Sequence, residues 1–130
     1  MGAKTVLAID DHENLLKLLR ANLEAAGYEV ITATSTAKGI SLVDEVKPAL
    51  ILLDIMMEEM DGIQALRKIR TNSNVPVIML TALDNPDTVA RAIEAGADDY
   101  ITKPFTVRQL LARVSAKMRH SPPGEQSAET

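Results

Sequence analysis

Five short apolar runs punctuate the chain, and between them apolar positions recur at helical spacing. The runs are Thr5–Ile9 (TVLAI), Tyr28–Ala33 (YEVITA), Leu50–Leu53 (LILL), Pro76–Leu80 (PVIML) and Asp99–Thr102 (DYIT). Leu50–Leu53 shows no alternation, which suits a strand buried on both faces under helices. Tyr28–Ala33 alternates and predicts a less buried strand. After the first run, Leu15, Leu16, Leu19, Leu23 and Ala26 form one helical stripe from Asn14 onward, with Gly27 as its stop. Ser35 is placed to cap a second helix carrying Ala37, Ile40 and Val43, halted at Lys47-Pro48. Asp61-Gly62 opens a third, with Ile63, Leu66 and Ile69 inward.

Asn85-Pro86 reads as an N-cap followed by proline at the first helical position. The fourth helix then turns Val89, Ala90 and Ile93 inward and closes at Gly96. Thr106-Val107-Arg108-Gln109 has the form of a capping box. It opens a last helix that buries Val107, Leu110, Leu111, Val114 and Met118. Five strands alternating with five helices predict an α/β fold, a parallel sheet with helices on both faces. The chain's 130 residues suit one domain. Residues 1–120 carry the pattern. Ser121–Thr130 (SPPGEQSAET) has Ala128 as its single apolar residue and predicts a disordered tail or a linker.

Composition narrows the function. Apolar residues make up 46% and charged residues 25%, ordinary for a globular protein. No cysteine is present, so disulfides and thiolate metal sites are excluded and an intracellular home is permitted. No apolar run approaches a membrane span and no signal-peptide pattern opens the sequence, so no membrane role is expected. A net charge of −4 argues against nonspecific nucleic-acid binding. The aromatics Tyr28, Tyr100 and Phe105 are too few for a base-stacking platform.

The candidate chemistry lies just past the strand ends. The first strand ends in Asp10 and Asp11, the third in Asp54, the fourth in Thr81 and the fifth in Lys103. Parallel strands end on one side, and ligands of open α/β sheets bind there. Three converging carboxylates repel unless a cation or proton intervenes. Mg2+ takes one or two carboxylates, keeps several waters and is completed by phosphate oxygens. A carboxylate can also accept a phosphoryl group, with metal, ammonium and hydroxyl neutralising the charge in transfer. Singly, each residue has an ordinary reading. The acid pair can cap the first helix, Thr81 can bond its own backbone, and Lys103 can be a solvated lysine. Five suitable groups at strand ends are harder to explain that way. His12 reads as an exposed loop residue, since the only other histidine is His120. Arg67, Lys68 and Arg70 read as a solvated helix end.

The sequence resembles the receiver domain of two-component response regulators from Lys4 to about Arg119. The motifs are DDH at Asp10–His12, LLDIMMEEMDG at Leu52–Gly62, MLTA at Met79–Ala82 and GADDYITKPF at Gly96–Phe105. The resemblance implies a flavodoxin-like, doubly wound five-stranded sheet in the order 2-1-3-4-5. It implies that Asp54 is phosphorylated by a sensor histidine kinase or a phosphotransfer protein. Asp11, Asp54 and the backbone carbonyl of Met56 would hold Mg2+, with Asp10 acting mainly through water. Lys103 would pair with the phosphoryl group or Asp54, and Thr81 and Tyr100 would form the switch. The resemblance also implies a cis Lys103-Pro104 bond, and a cytoplasmic location is expected.

Glu58 stands where the family commonly has proline, which puts loop geometry and metal affinity in question. The stretch from Ala97 resembles receivers of winged-helix transcription factors, which pair when phosphorylated. Asp98, Asp99 and Arg113 then have two equal readings, ion pairs across a homodimer or plain exposed charges. A receiver-like interaction module without phosphorylation is the alternative function. An aspartyl-nucleophile phosphatase would want D-x-D and a cap domain. A flavin carrier would want a Ser/Thr/Gly-rich phosphate loop. Neither is present.

Overall fold

The computed structural model describes residues 4–57, 60–82 and 86–119. Its elements run β1 (Thr5–Ile9), α1 (Glu13–Ala25), β2 (Glu29–Ala33), α2 (Thr36–Val46) and β3 (Leu50–Asp54). Then follow α3 (Gly62–Arg70), β4 (Val77–Thr81), α4 (Pro86–Glu94), β5 (Asp99–Thr102) and α5 (Val107–Arg119). The strands form one parallel sheet in the order β2-β1-β3-β4-β5. The sheet order implied by the resemblance is therefore the one adopted, as a doubly wound, flavodoxin-like fold.

Strand alternation divides the core in two. Val6, Ala8, Leu50, Leu52, Ile78, Leu80 and Ile101 pack with Leu16, Leu19 and Leu23 of α1 and Leu110, Val114 and Met118 of α5. Leu7, Ile9, Ile51, Leu53, Val77 and Met79 pack with Val43 of α2, Ile63, Leu66 and Ile69 of α3, and Ala92 of α4. Leu50–Leu53 is buried throughout because both faces are covered, while β2, at the sheet edge, is only partly buried.

Caps place the helix starts. The Ser35 side chain accepts from Lys38 N at 3.2 Å and that of Asp61 from Gln64 N at 2.8 Å. The capping box closes both ways, Thr106 N to Gln109 Oε1 at 2.9 Å and Gln109 N to Thr106 Oγ1 at 3.0 Å. Gly27 and Gly96 take φ of 100° and 110°, a conformation that favours glycine and ends their helices.

Several expected inward positions turn out otherwise. Ala26 and Ala37 are exposed; the α2 face toward the sheet is Thr36, Gly39 and Val43. Gly39 sits inward because a Cβ there would collide with Ile9. On α4, Ala92 is the buried residue, while Ala90 and Ile93 are exposed. Val107 is exposed as well, being at the first position of α5, before the stripe meets the sheet. The Asn85 cap, Glu58 and the tail from Ser121 lie outside the described residues.

Candidate functional site

The parallel register sets the acids side by side. Ile9 pairs with Leu53 and Asp54 with Leu80, so Asp10, one residue past Ile9, comes level with Asp54. The ladder continues past the strand ends through Asp10 N to Ala33 O at 3.1 Å, Ile55 N to Leu80 O at 3.0 Å and Lys103 N to Thr81 O at 2.7 Å. These bonds hold the first residue after each strand at the carboxyl edge of the sheet. Lys103 Nζ reaches both carboxylates, Asp10 Oδ2 at 3.2 Å and Asp54 Oδ1 at 3.3 Å.

Asp54 is a sealed carboxylate, its side chain only 2% exposed. Oδ1 also accepts from Met56 N at 3.3 Å, but Oδ2 has no hydrogen-bond partner, nor does Asp11 Oδ1. Burial, with Asp10 adding, pushes the Asp54 carboxyl above the usual carboxylate range; Lys103 and the Met56 amide pull it back only in part. Two buried oxygens without a hydrogen bond, within a set of carboxylates, fit a hard cation or an incoming electrophile. The ligand atoms of Asp10, Asp11, His12 and Asp54 all lie within 4.8 Å of one another.

The acid pair does not cap α1 in the way considered above. His12 is the N-cap and its side chain makes no capping bond. Asp10 Oδ1 instead takes His12 N at 2.9 Å and lies 3.0 Å from His12 Nδ1. Thr81 ends β4 fully buried, while Tyr100, on neighbouring β5, is 38% exposed. Met56 is exposed beside the pocket. The Lys103-Pro104 bond is cis.

The charges read as a dimer face have partners within this chain. Arg113 Nη1 donates to both oxygens of Asp99, at 2.9 and 3.0 Å. Asp98 Oδ2 accepts from Arg70 Nη2 at 3.0 Å and from Val77 N at 2.8 Å. Arg70 therefore corrects the solvated-end reading: its guanidinium is largely covered and also donates to Gly96 O and Ser73 O. Its helical spacing gave no sign of this, since the partners lie across the α4–β5 turn. Gly62 does more than open a helix. A Cβ there would fall on the backbone of Asp54 and Ile55, so α3 starts closer to the Asp54 carbonyl than any side chain permits. In the sequence, Asp61-Gly62 signals only a helix start.

Fold and pocket together define a doubly wound α/β domain with a carboxylate-rich, cation-ready site at its strand ends. The family model for the response regulator receiver domain matches residues 6–115, and this chain belongs to that family, as a receiver domain of two-component response regulators. Over 131 residues it is 40% identical to the phosphate regulon transcriptional regulatory protein PhoB of Pseudomonas aeruginosa, covering 98% of this chain and 57% of that protein. Over 127 residues it is 41% identical to the alkaline phosphatase synthesis transcriptional regulatory protein PhoP of Bacillus subtilis, covering 97% and 53%. The chain thus spans about half the length of these curated relatives. Among solved structures it is similar to a CheY-like receiver domain protein from Methanospirillum hungatei, with a TM-score of 0.87, 30% identity, and 99% and 100% of the two chains covered. It is also similar to the BeF3-activated N-terminal receiver domain of Klebsiella pneumoniae RstA, with a TM-score of 0.85, 29% identity and coverage of 89% and 99%. No described helix is long and apolar enough to cross a membrane.

Proposed function

We propose that this domain is a phosphorylation-controlled switch whose phosphoacceptor is Asp54. The observation that carries the reading is a buried carboxylate with one donorless oxygen, set between an acid pair and an ammonium group. The phosphoryl donor is a sensor histidine kinase or a phosphotransfer protein. An Asp54 oxygen forms the new bond to phosphorus as the donor's phosphorus–nitrogen bond breaks, giving an acyl phosphate. Asp11, Asp54 and the Met56 carbonyl are the Mg2+ ligands, with Asp10 acting mainly through water. When bound, Mg2+ offsets negative charge on the phosphoryl oxygens. Lys103, already on Asp54, neutralises part of the same charge, and the Thr81 hydroxyl donates to a phosphoryl oxygen.

The domain assists its own phosphorylation and dephosphorylation and acts on no separate substrate. The added charge, about −2 at neutral pH, biases the face formed by α4, β5 and α5, where Ile93, Tyr100 and Val107 are exposed. A homodimer through this face on phosphorylation would recruit Asp98, Asp99 and Arg113 only by exchanging their present partners. The relatives' names support transcription regulation as the output. Nucleic acid is not bound by this acidic domain itself, and its setting is cytoplasmic. Incubation with acetyl phosphate and Mg2+, followed by intact mass measurement, tests the assignment. Wild type gains one phosphoryl group and Asp54→Asn gains none; an undiminished gain in the variant overturns the reading.

A further inference from the structure

His12 has an odd position for a surface histidine. Its side chain is 69% exposed, so packing does not hold it, and it makes no cap to α1. Yet Nδ1 lies 3.0 Å from Asp10 Oδ1 and 3.1 Å from Asp11 Oδ1. A single N–H cannot point well at both, and Asp11 Oδ1 is left buried without a hydrogen bond. One ion between Nδ1 and Asp11 Oδ1 satisfies both, and Asp10 Oδ1 keeps the His12 amide.

The distances match such an ion. Octahedral coordination with metal–ligand bonds of about 2.1 Å places neighbouring ligands about 3.0 Å apart, and opposite ligands about 4.2 Å apart. The 3.1 Å separation of Nδ1 from Asp11 Oδ1 matches that octahedral edge. The four candidate ligand atoms all lie within 4.8 Å of one another, somewhat wider than that diagonal, so the set closes slightly on an ion. The donorless Oδ2 of buried Asp54 belongs to the same residue set and supplies a ligand from inside the fold.

The donor types then decide which ion. Mg2+ favours oxygen and dehydrates reluctantly, so an imidazole adds little to its binding. Ni2+ and its neighbours in the first transition row take imidazole readily. We propose that His12 is a metal ligand through Nδ1, and that it makes this pocket prefer borderline first-row dications, Ni2+ being the probe, over Mg2+. The proposal rests on the reading of the acidic pocket as a cation site and adds its nitrogen ligand and its selectivity. Coordination uses the Nδ1 lone pair, so the ring keeps its proton on Nε2 and any second proton leaves to water.

Calorimetric titration of the whole chain, free of any purification tag, with NiCl2 and with MgCl2 at one neutral pH tests this. Wild type should bind Ni2+ at least about tenfold more tightly than Mg2+, and His12→Ala should lose about tenfold or more of the Ni2+ affinity while Mg2+ affinity stays within about threefold. His120→Ala should behave as wild type, and Asp54→Asn should weaken both ions. As a second readout, Mn2+ bound to wild type should show nitrogen modulation in its electron spin echo, absent in His12→Ala. Equal effects of His12→Ala on both ions, or nitrogen modulation surviving in that variant, overturn the proposal. Failure of wild type to bind Mg2+ at all would instead count against the cation-site reading itself.

Discussion

A carboxylate sealed from water and set beside another carboxylate is held at a cost, and Asp54 is held in that way. Its carboxyl is raised by burial first and by Asp10 second. The native state therefore binds that proton more tightly than the unfolded chain does. The associated stability is complete below the ordinary carboxylate range and is lost as pH rises through the folded value. At neutral pH without metal, ionised Asp54 opposes folding, and Asp54→Asn should melt higher than wild type. The gap should narrow as pH falls into the ordinary carboxylate range. Metal reverses the sign, because repulsion among the acids becomes attraction to the ion. At free Mg2+ about ten times its dissociation constant, wild type should gain about 1.4 kcal/mol and the variant less. Melting curves in chelator and in Mg2+ across pH check both signs; a variant that melts lower in chelator would show that the carboxylates are not coupled.

Between elements, the guanidinium of Arg70 ties the end of α3 to the turn that leads into β5. Nε and Nη2 share Gly96 O at 3.1 and 2.8 Å, while Nη2 also meets Asp98, whose Oδ2 caps Val77 N at the start of β4. Burial pulls the Arg70 pKa below its ordinary value, with Asp98 opposing the shift. The turn is shaped to the fork: a Cβ at Gly96 would lie 2.9 Å from Arg70 Nε. Lysine carries the charge but not the planar set of donors. Arg70→Lys should therefore cost about 1–3 kcal/mol, by leaving carbonyls under-bonded. Denaturant unfolding measures the loss, and amide exchange should quicken at residues 96–99 while the α1 side of the sheet keeps its protection. Unchanged stability would mean the bonds contribute nothing net.

Across the whole molecule, the proposed switch runs from a buried hydroxyl to an exposed ring. Thr81 and Tyr100 belong to adjacent strands, Met79 pairing with Tyr100 and Thr81 with Thr102. A pull on Thr81 from a phosphorylated Asp54 acts on β4, and Tyr100, only partly covered, has room to move. Beryllofluoride with Mg2+ should shift the Tyr100 ring resonances, and Thr81→Ala should weaken that shift. Equal shifts in both proteins would break the coupling.

Short apolar runs and helical stripes made the ten elements and most caps legible in the sequence, because a strand covered on both faces is a continuous apolar run and a helix face is a local repeat. Clustering of Asp10, Asp11, Asp54 and Lys103 was legible too, since parallel strands must end on one side. The order of the sheet was not a matter of periodicity and came only with the family resemblance. Faces at the rims were decided by packing: Ala92 rather than Ile93 on α4, and Gly39 where Ile9 leaves no space. Tertiary structure alone brought Arg70 to Gly96 and Asp98, 26 and 28 residues away. It also turned His12 toward two carboxylates, where the one other histidine, His120, lies far along the chain. Such contacts depend on where turns bring side chains back together in space, and no local repeat in the chain encodes that.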